Sequence, residues 1–227
     1  MPGTLYVVAT PIGNLQDISL RAKQVLESVD TIVCEDTRVT AKLLAFLEIH
    51  KPLKSWRQRS DDKVMEEVIN LLVQGQNLAY VSDAGTPGVN DPGGKLSALA
   101  QDRGIQVVPV PGASAITAAI SVCGFPMENF VYLGFPPHKK GRETFFKDLC
   151  AREEAVIFFE STHRLQKALE ALVKLLDAGR PIFVGRELTK MHETLYRGEP
   201  SQVLQQILQT SIKGEAVIVV APKKFTS

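Results

Sequence analysis

Leu78-Ala79-Tyr80-Val81-Ser82-Asp83-Ala84-Gly85-Thr86-Pro87-Gly88-Val89-Asn90-Asp91-Pro92-Gly93-Gly94 decides how the chain is read. Its first four residues are apolar and suit a short buried strand, after which the sequence turns polar and Gly/Pro-punctuated within one step. Leu96, Leu99 and Ala100 then resume at helical spacing, so the unit reads strand, long loop, helix. A link of about two to six residues normally joins a strand to the next helix in α/β units. This one is about twice that, which marks a binding loop rather than a plain connection. Asp83 falls at the carboxyl end of the strand, where ligands settle in open α/β sheets. Gly85 and Gly88 have no Cβ, so a ligand can lie against bare backbone there.

On either side the same alternation recurs. Residues 4–9, 31–34 and 105–110 read as strands, and the first runs straight into the turn Thr10-Pro11-Ile12-Gly13-Asn14. Asp17 and Ser19 offer N-cap chemistry to a helix carrying Ala22, Val25 and Leu26. Further helices carry Leu43, Leu44 and Leu47, and Val64, Val68 and Leu72. Strands alternating with helices predict a mainly parallel sheet covered on both faces. Pro109-Val110-Pro111-Gly112 breaks regular structure and marks a domain boundary, followed at once by a small-residue helix from Ala113. Strands over 131–133, 155–159, 182–184 and 216–220 continue the rhythm. The expected fold class is therefore α/β, with an N-terminal domain over residues 1–111, a C-terminal domain over 112–227 and a crevice between them.

Composition sets outer limits. The hydrophobic fraction of 44% supports a sizeable core, and a net charge of +1 gives no global attraction to nucleic acid or membrane. Cys34, Cys123 and Cys150 are odd in number and widely spaced, which argues against a disulfide framework and fits a reducing cytoplasm. The Met1-Pro2-Gly3-Thr4 start lacks the features of a signal peptide, and no run approaches the ~18 apolar residues of a membrane span. A soluble cytoplasmic protein with no membrane association is expected.

Several chemistries are missing. No G-x-x-x-x-G-K-[ST] loop is present, and no G-x-G-x-x-G follows the first strand. His50, His138, His163 and His192 are scattered, so no metal site is expected. Ser114 opens a helix after a Pro-Gly turn but lacks the nucleophile elbow, and reads as a cap or ligand contact. What remains is a set of strand-end carboxylates, Asp36, Asp83, Glu160 and Glu187, each of which is as readily structural as functional. Two basic clusters accompany them. Lys51, Lys54, Arg57 and Arg59 surround Trp56, and His138-Lys139-Lys140-Gly141-Arg142 follows Phe135-Pro136-Pro137. A base stacking on Trp56 while cations hold phosphates would suit single-stranded RNA, and a solvated basic face is the plainer alternative.

Seven motifs in order now resemble one family: Thr10-Pro11-Ile12-Gly13-Asn14-Leu15, Glu35-Asp36-Thr37-Arg38, Ser82-Asp83-Ala84-Gly85-Thr86-Pro87-Gly88, Pro111-Gly112-Ala113-Ser114-Ala115, Glu160-Ser161-Thr162-His163-Arg164, Gly185-Arg186-Glu187-Leu188-Thr189-Lys190 and Lys213-Gly214-Glu215. They resemble the tetrapyrrole methylase superfamily, and in this order its ribosomal RNA small-subunit methyltransferase I branch. The resemblance implies two α/β domains, a homodimer, and S-adenosylmethionine (SAM) in the cleft between the domains. It implies methyl transfer to the ribose 2′-oxygen of a cytidine in the decoding centre of 16S rRNA in the small ribosomal subunit. Pro11, Asp83, Ala84, Gly85, Thr86, Ala113, Ser114, Ala115, Glu215 and Ala216 are the expected cofactor contacts.

A sulfonium methyl donor needs positioning and no metal, which matches the motifs that are missing. A ribose hydroxyl needs its proton removed, and Asp36, Glu35, Glu160 and His192 are the candidates for that step. Arg38, Arg164, Arg186 and Lys190, with Trp56, Arg57 and Arg59, are the expected RNA contacts. Departures from the branch are Ser55-Trp56-Arg57-Gln58-Arg59-Ser60 in place of a His/Asn-rich segment, Thr162 in place of Pro, and no small helical domain between the last strand and Ser227. Two other readings stay open: methylation of a tetrapyrrole or protein residue, and a ribosome-binding factor that holds SAM with little turnover.

Overall fold

A computed structural model of the chain describes residues 1–56, 62–211 and 213–225. It comprises two compact units, Met1–Ser114 and Ala115–Ser227.

In the N-terminal unit, β1 (Thr4–Val8), β2 (Thr31–Cys34), β3 (Leu53–Ser55), β4 (Leu78–Val81) and β5 (Gln106–Val110) form a five-stranded sheet. Their order is β3-β2-β4-β1-β5, and every neighbouring pair is parallel. The helices are α1 (Leu20–Ser28), α2 (Thr37–Leu47), α3 (Asp62–Val73) and α4 (Gly93–Asp102). Side chains alternate across a strand, so each strand feeds two cores. Ile32, Cys34, Ala79 and Val81 pack with Leu26, Leu43 and Leu47, whereas Val33, Leu78 and Tyr80 pack with Val68, Leu72 and Leu96. A strand buried on both faces reads as an unbroken apolar run, which is why β4 was legible. Ser19 caps α1 by accepting the Ala22 N–H at 3.0 Å.

The C-terminal unit carries α5 (Ala115–Cys123), β6 (Phe130–Tyr132), α6 (Arg142–Ala151), β7 (Ala155–Glu160), α7 (Leu165–Leu175), β8 (Ile182–Arg186), β9 (Thr194–Gly198), α8 (Pro200–Thr210) and β10 (Ala216–Val220). Its sheet has the order β6-β7-β10-β8-β9. Only β6 and β7 run parallel; the other three pairings are antiparallel. Phe146, Phe158, Leu169, Leu172, Val184 and Ile218 lie at the centre of its core.

Three elements went unforeseen in the sequence. β3 is three residues long and lies at a sheet edge, and β9 is an edge strand with exposed Leu195. Helix α6 begins inside the basic cluster that follows Pro136-Pro137, where charge masked its apolar face of Phe146 and Leu149. Among the described residues no helix is long and apolar enough to cross a membrane.

Candidate active site

Because all strands of the N-terminal sheet are parallel, their carboxyl ends share one edge, and four loops emerge there. The loop after β1 is joined to the loop after β4 by paired bonds, Thr10 N–H to Gly85 O and Gly85 N–H to Thr10 O, both 3.0 Å. Thr10 Oγ1 adds a bond to Ser82 O at 3.1 Å. The loop after β5 is tied in by Thr86 Oγ1, which donates to Ala113 O at 3.1 Å. A Cβ on Gly85, whose φ is +84°, would lie 3.2 Å from Ile12 Cγ2 and 3.7 Å from Ala113 O. Three turns containing Pro11, Ala84-Gly85-Thr86 and Ala113 are thereby assembled into one surface of backbone and small side chains.

Asp91 holds the long loop in shape. Its carboxylate accepts the N–H groups of Gly88 at 2.8 and 2.9 Å, Val89 at 3.1 Å and Gly93 at 2.7 Å. The Tyr80 hydroxyl also reaches it, at 3.3 Å. Tyr80 is fully buried, and that burial, then the nearby Asp91 and Glu35 charges, push its phenol far above the ordinary range. Asp91 was not among the expected site residues. Its signal in the sequence was an acid two residues before a Gly-Gly pair at a helix start.

A second carboxylate group stands beside this loop. Asp36 caps α2 and accepts the Arg38 N–H at 2.9 Å and, on its two oxygens, the Arg38 guanidinium at 3.0 and 2.6 Å. The Asp36 N–H donates to Asp83 Oδ1 at 3.0 Å, and the Asp83 N–H donates to Glu35 Oε1 at 3.2 Å. Burial raises the Glu35 carboxyl above its usual range. The Asp83 N–H bond opposes this, and the charges of Asp83 and Asp91 add to it. Arg38 stays exposed while paired to Asp36. Among the described residues no group of three or more His, Cys, Asp or Glu side chains is arranged to hold a metal ion.

In the C-terminal unit the register aligns Glu160, Ala216, Arg186 and Thr194 in one row across β7, β10, β8 and β9. Here the structure corrects two expectations. Glu160 has 0% exposure, and its oxygens are taken by Arg142 Nη2 at 2.7 Å, Arg164 Nε at 3.0 Å and the Ser161 N–H at 2.8 Å. A carboxylate so enclosed has both oxygens engaged within the fold and has the setting of a structural anchor. Arg186 is 6% exposed, and its guanidinium is spent on Thr194 Oγ1 at 2.8 Å, Lys213 O at 2.6 Å and His192 O at 2.8 Å. It is closed to phosphate.

The remaining residues of this edge form a knot. Lys190 bridges Glu187 at 2.9 Å and Glu215 at 3.1 Å. Burial lowers the Lys190 pKa, but the two carboxylates outweigh it and the net shift is upward. Glu187 has φ +52° and Thr189 φ +65°, and Glu187 packs onto Gly214 so closely that a Cβ there would meet it at 2.4 Å. His192 is exposed, and Ala216 is buried within its strand. Arg164 also donates to Ser161 Oγ and Pro136 O.

Trp56 is the third correction. It is 3% exposed and meets Tyr80 edge-on with ring centroids 5.6 Å apart, so it is a core residue with no face open to a base. Arg57 and Arg59 lie outside the described residues.

The chain is similar to known proteins over nearly its whole length. Residues 4–204 match the family Tetrapyrrole (Corrin/Porphyrin) Methylases. The chain is 40% identical over 222 residues to ribosomal RNA small subunit methyltransferase I of Thermotoga maritima, covering 98% of this chain and 100% of that one. It is 43% identical over 225 residues to the protein of the same name from Escherichia coli O157:H7, covering 98% and 79% respectively. The crystal structure of the methyltransferase CobJ matches with a TM-score of 0.70 at 18% identity, over 99% of this chain and 96% of that one, a likeness of fold.

Proposed function

Since the chain belongs to the tetrapyrrole (corrin/porphyrin) methylase family, we propose that it methylates the ribose 2′-hydroxyl of a cytidine in 16S rRNA with SAM as donor. The observation that carries this reading is identity of 40% to 43%, across 98% of the chain, with proteins named ribosomal RNA small subunit methyltransferase I. The same reading has the chain acting as a homodimer on the small ribosomal subunit.

The strand-end residues of the N-terminal unit suit this cofactor. SAM supplies an electrophilic methyl group on a sulfonium, and it also carries a flat adenine and a cationic amino group. The joined turns of Pro11, Gly85, Thr86 and Ala113 offer backbone donors and acceptors with little side-chain bulk, as a flat ligand requires. The nearby carboxylates Glu35, Asp36 and Asp83 favour a ligand bearing positive charge. Asp83, Ala84 and Ser114 complete the contacts that this unit offers in this reading.

Glu35 is the residue we assign to accept the proton. Asp36 is committed to the helix cap and Arg38, and Glu160 is sealed by two arginines. Glu35 is half-buried, and its raised pKa makes it a stronger base than an ordinary carboxylate. A Glu35 oxygen would accept the 2′-hydroxyl proton as the oxygen takes the methyl group, with the S–CH3 bond broken and its electron pair left on the sulfur. Arg38, exposed beside it, is available to a phosphate.

Transfer of labelled methyl from SAM to 30S subunits that lack their own ribose methylation tests the proposal. Label recovered as 2′-O-methylcytidine is the expected result. SAM binding with label in no RNA would overturn it.

A further inference from the structure

With Trp56 in the core, an aromatic contact for RNA must lie elsewhere. Phe135 leaves the carboxyl end of β6 with 49% of its surface exposed. Its position is fixed from behind by a chain of edge-on rings. Phe135 meets Phe159 at 5.5 Å between centroids, and Phe159 meets Tyr132 at 5.1 Å. The Phe159 N–H donates to Gly134 O at 2.9 Å, extending the β6–β7 pairing to the residue before Phe135.

The segment that follows is held by the arginines that enclose Glu160. Arg164 Nη1 donates to Pro136 O at 3.3 Å, and Arg142 Nη1 to Pro137 O at 3.4 Å. The buried carboxylate therefore orders the loop through two guanidinium groups. Beyond it, His138, Lys139 and Lys140 are exposed, and among the described residues no carboxylate pairs with either lysine. A rigid exposed ring, followed four and five residues on by two unpaired lysines, has the elements of a single-stranded nucleic-acid contact: a stacking face and cations for the backbone.

Resting on the RNA reading above, we propose that the Phe135–Lys140 loop is an RNA-binding site, with Phe135 stacking on an unpaired base and Lys139 and Lys140 contacting flanking phosphates. Glu160 is its positioning residue. Charge complementarity with RNA selects this occupant over a second copy of the chain.

Filter retention of 30S subunits lacking ribose methylation, measured over a salt series, separates the two parts of the site. Phe135→Ala should weaken binding about 5- to 100-fold with an unchanged salt slope, since stacking involves no counterion. Lys139→Ala with Lys140→Ala should reduce the slope of log K against log salt by about 1.4, the value for two phosphates on single-stranded RNA. SAM affinity by calorimetry should stay within about twofold for both, since they are surface changes. Wild-type affinity and slope in both variants would overturn the proposal. A change of oligomeric state in Phe135→Ala by sedimentation would also overturn it, marking a face between copies. If the wild-type chain fails to retain 30S subunits at all, the RNA reading beneath it falls as well.

Discussion

The backbone N–H of Asp36 donates to Asp83 Oδ1 at 3.0 Å, tying the end of β2 to the end of β4. The Asp83 N–H returns a bond to the Glu35 carboxylate, so Glu35, Asp36 and Asp83 are linked where two parallel strands finish. Burial raises the Glu35 pKa first, and the Asp83 and Asp91 charges raise it further. The folded state thus binds the Glu35 proton more tightly than the unfolded chain does. The charged form costs stability above the folded pKa, and the cost vanishes below the unfolded value of about 4.3, where both states are protonated.

Glu35→Gln should therefore be more stable than wild type near neutral pH. The gain should disappear by about pH 3.5, below the unfolded pKa, where both states are protonated. The same variant should lose about 100-fold or more in methyl transfer, the size of a general-base contribution. Urea denaturation at the two pH values and a single-turnover assay measure both effects. A Glu35→Gln variant of wild-type rate would exclude Glu35 as the proton acceptor.

Asp91→Ala should loosen the loop that Asp91 holds. The change strands the N–H groups of Gly88, Val89 and Gly93, and the Tyr80 hydroxyl. Bonds to a charged acceptor contribute about 1.5–3 kcal/mol each, but the exposed part of the loop recovers some through water. A net loss of about 2 kcal/mol is expected, with SAM affinity falling at least about tenfold as the joined turns lose order. Thermal unfolding and calorimetry check this. Unchanged SAM affinity would place the cofactor away from this loop.

Trp56→Ala should remove core volume rather than RNA contact. Deleting a buried Trp costs about 3–5 kcal/mol, and Trp56→Phe should keep part of that through its contact with Tyr80. The folded fraction of Trp56→Phe should retain wild-type affinity for 30S subunits.

These corrections show where sequence reading stopped. The apolar run Leu78–Val81 and the Gly/Pro loop after it carry their own signal, because a doubly covered strand and a backbone-lined turn each demand particular residue types. The fate of a single polar or aromatic side chain carries no such signal. Glu160 and Glu35 both stand at strand ends, yet one is enclosed by arginines from α6 and the segment before α7 while the other sits among acids. Trp56 sits among cations in the chain and among apolar residues in space. Only tertiary placement separates the cases.

Arg180 extends the point to a residue that no motif marks. It is 2% exposed, and its guanidinium donates to three carbonyls: Ala221 O at 2.7 Å, Cys150 O at 2.9 Å and Glu154 O at 3.1 Å. These lie after β10, within the last turn of α6 and just before β7, so one side chain joins three segments of the C-terminal unit. Burial lowers its pKa, yet a guanidinium starts so high that it stays charged over any usable pH. Arg180→Met should strand all three acceptors and cost about 3–5 kcal/mol, with little pH dependence between about pH 6 and 9. Arg180→Lys keeps the charge but not the planar fork, and one ammonium cannot span acceptors placed for three guanidinium nitrogens. It should recover less than about half of the loss. Urea unfolding of the two variants at several pH values tests this, and near-complete rescue by lysine would show that charge rather than fork geometry holds the three segments together.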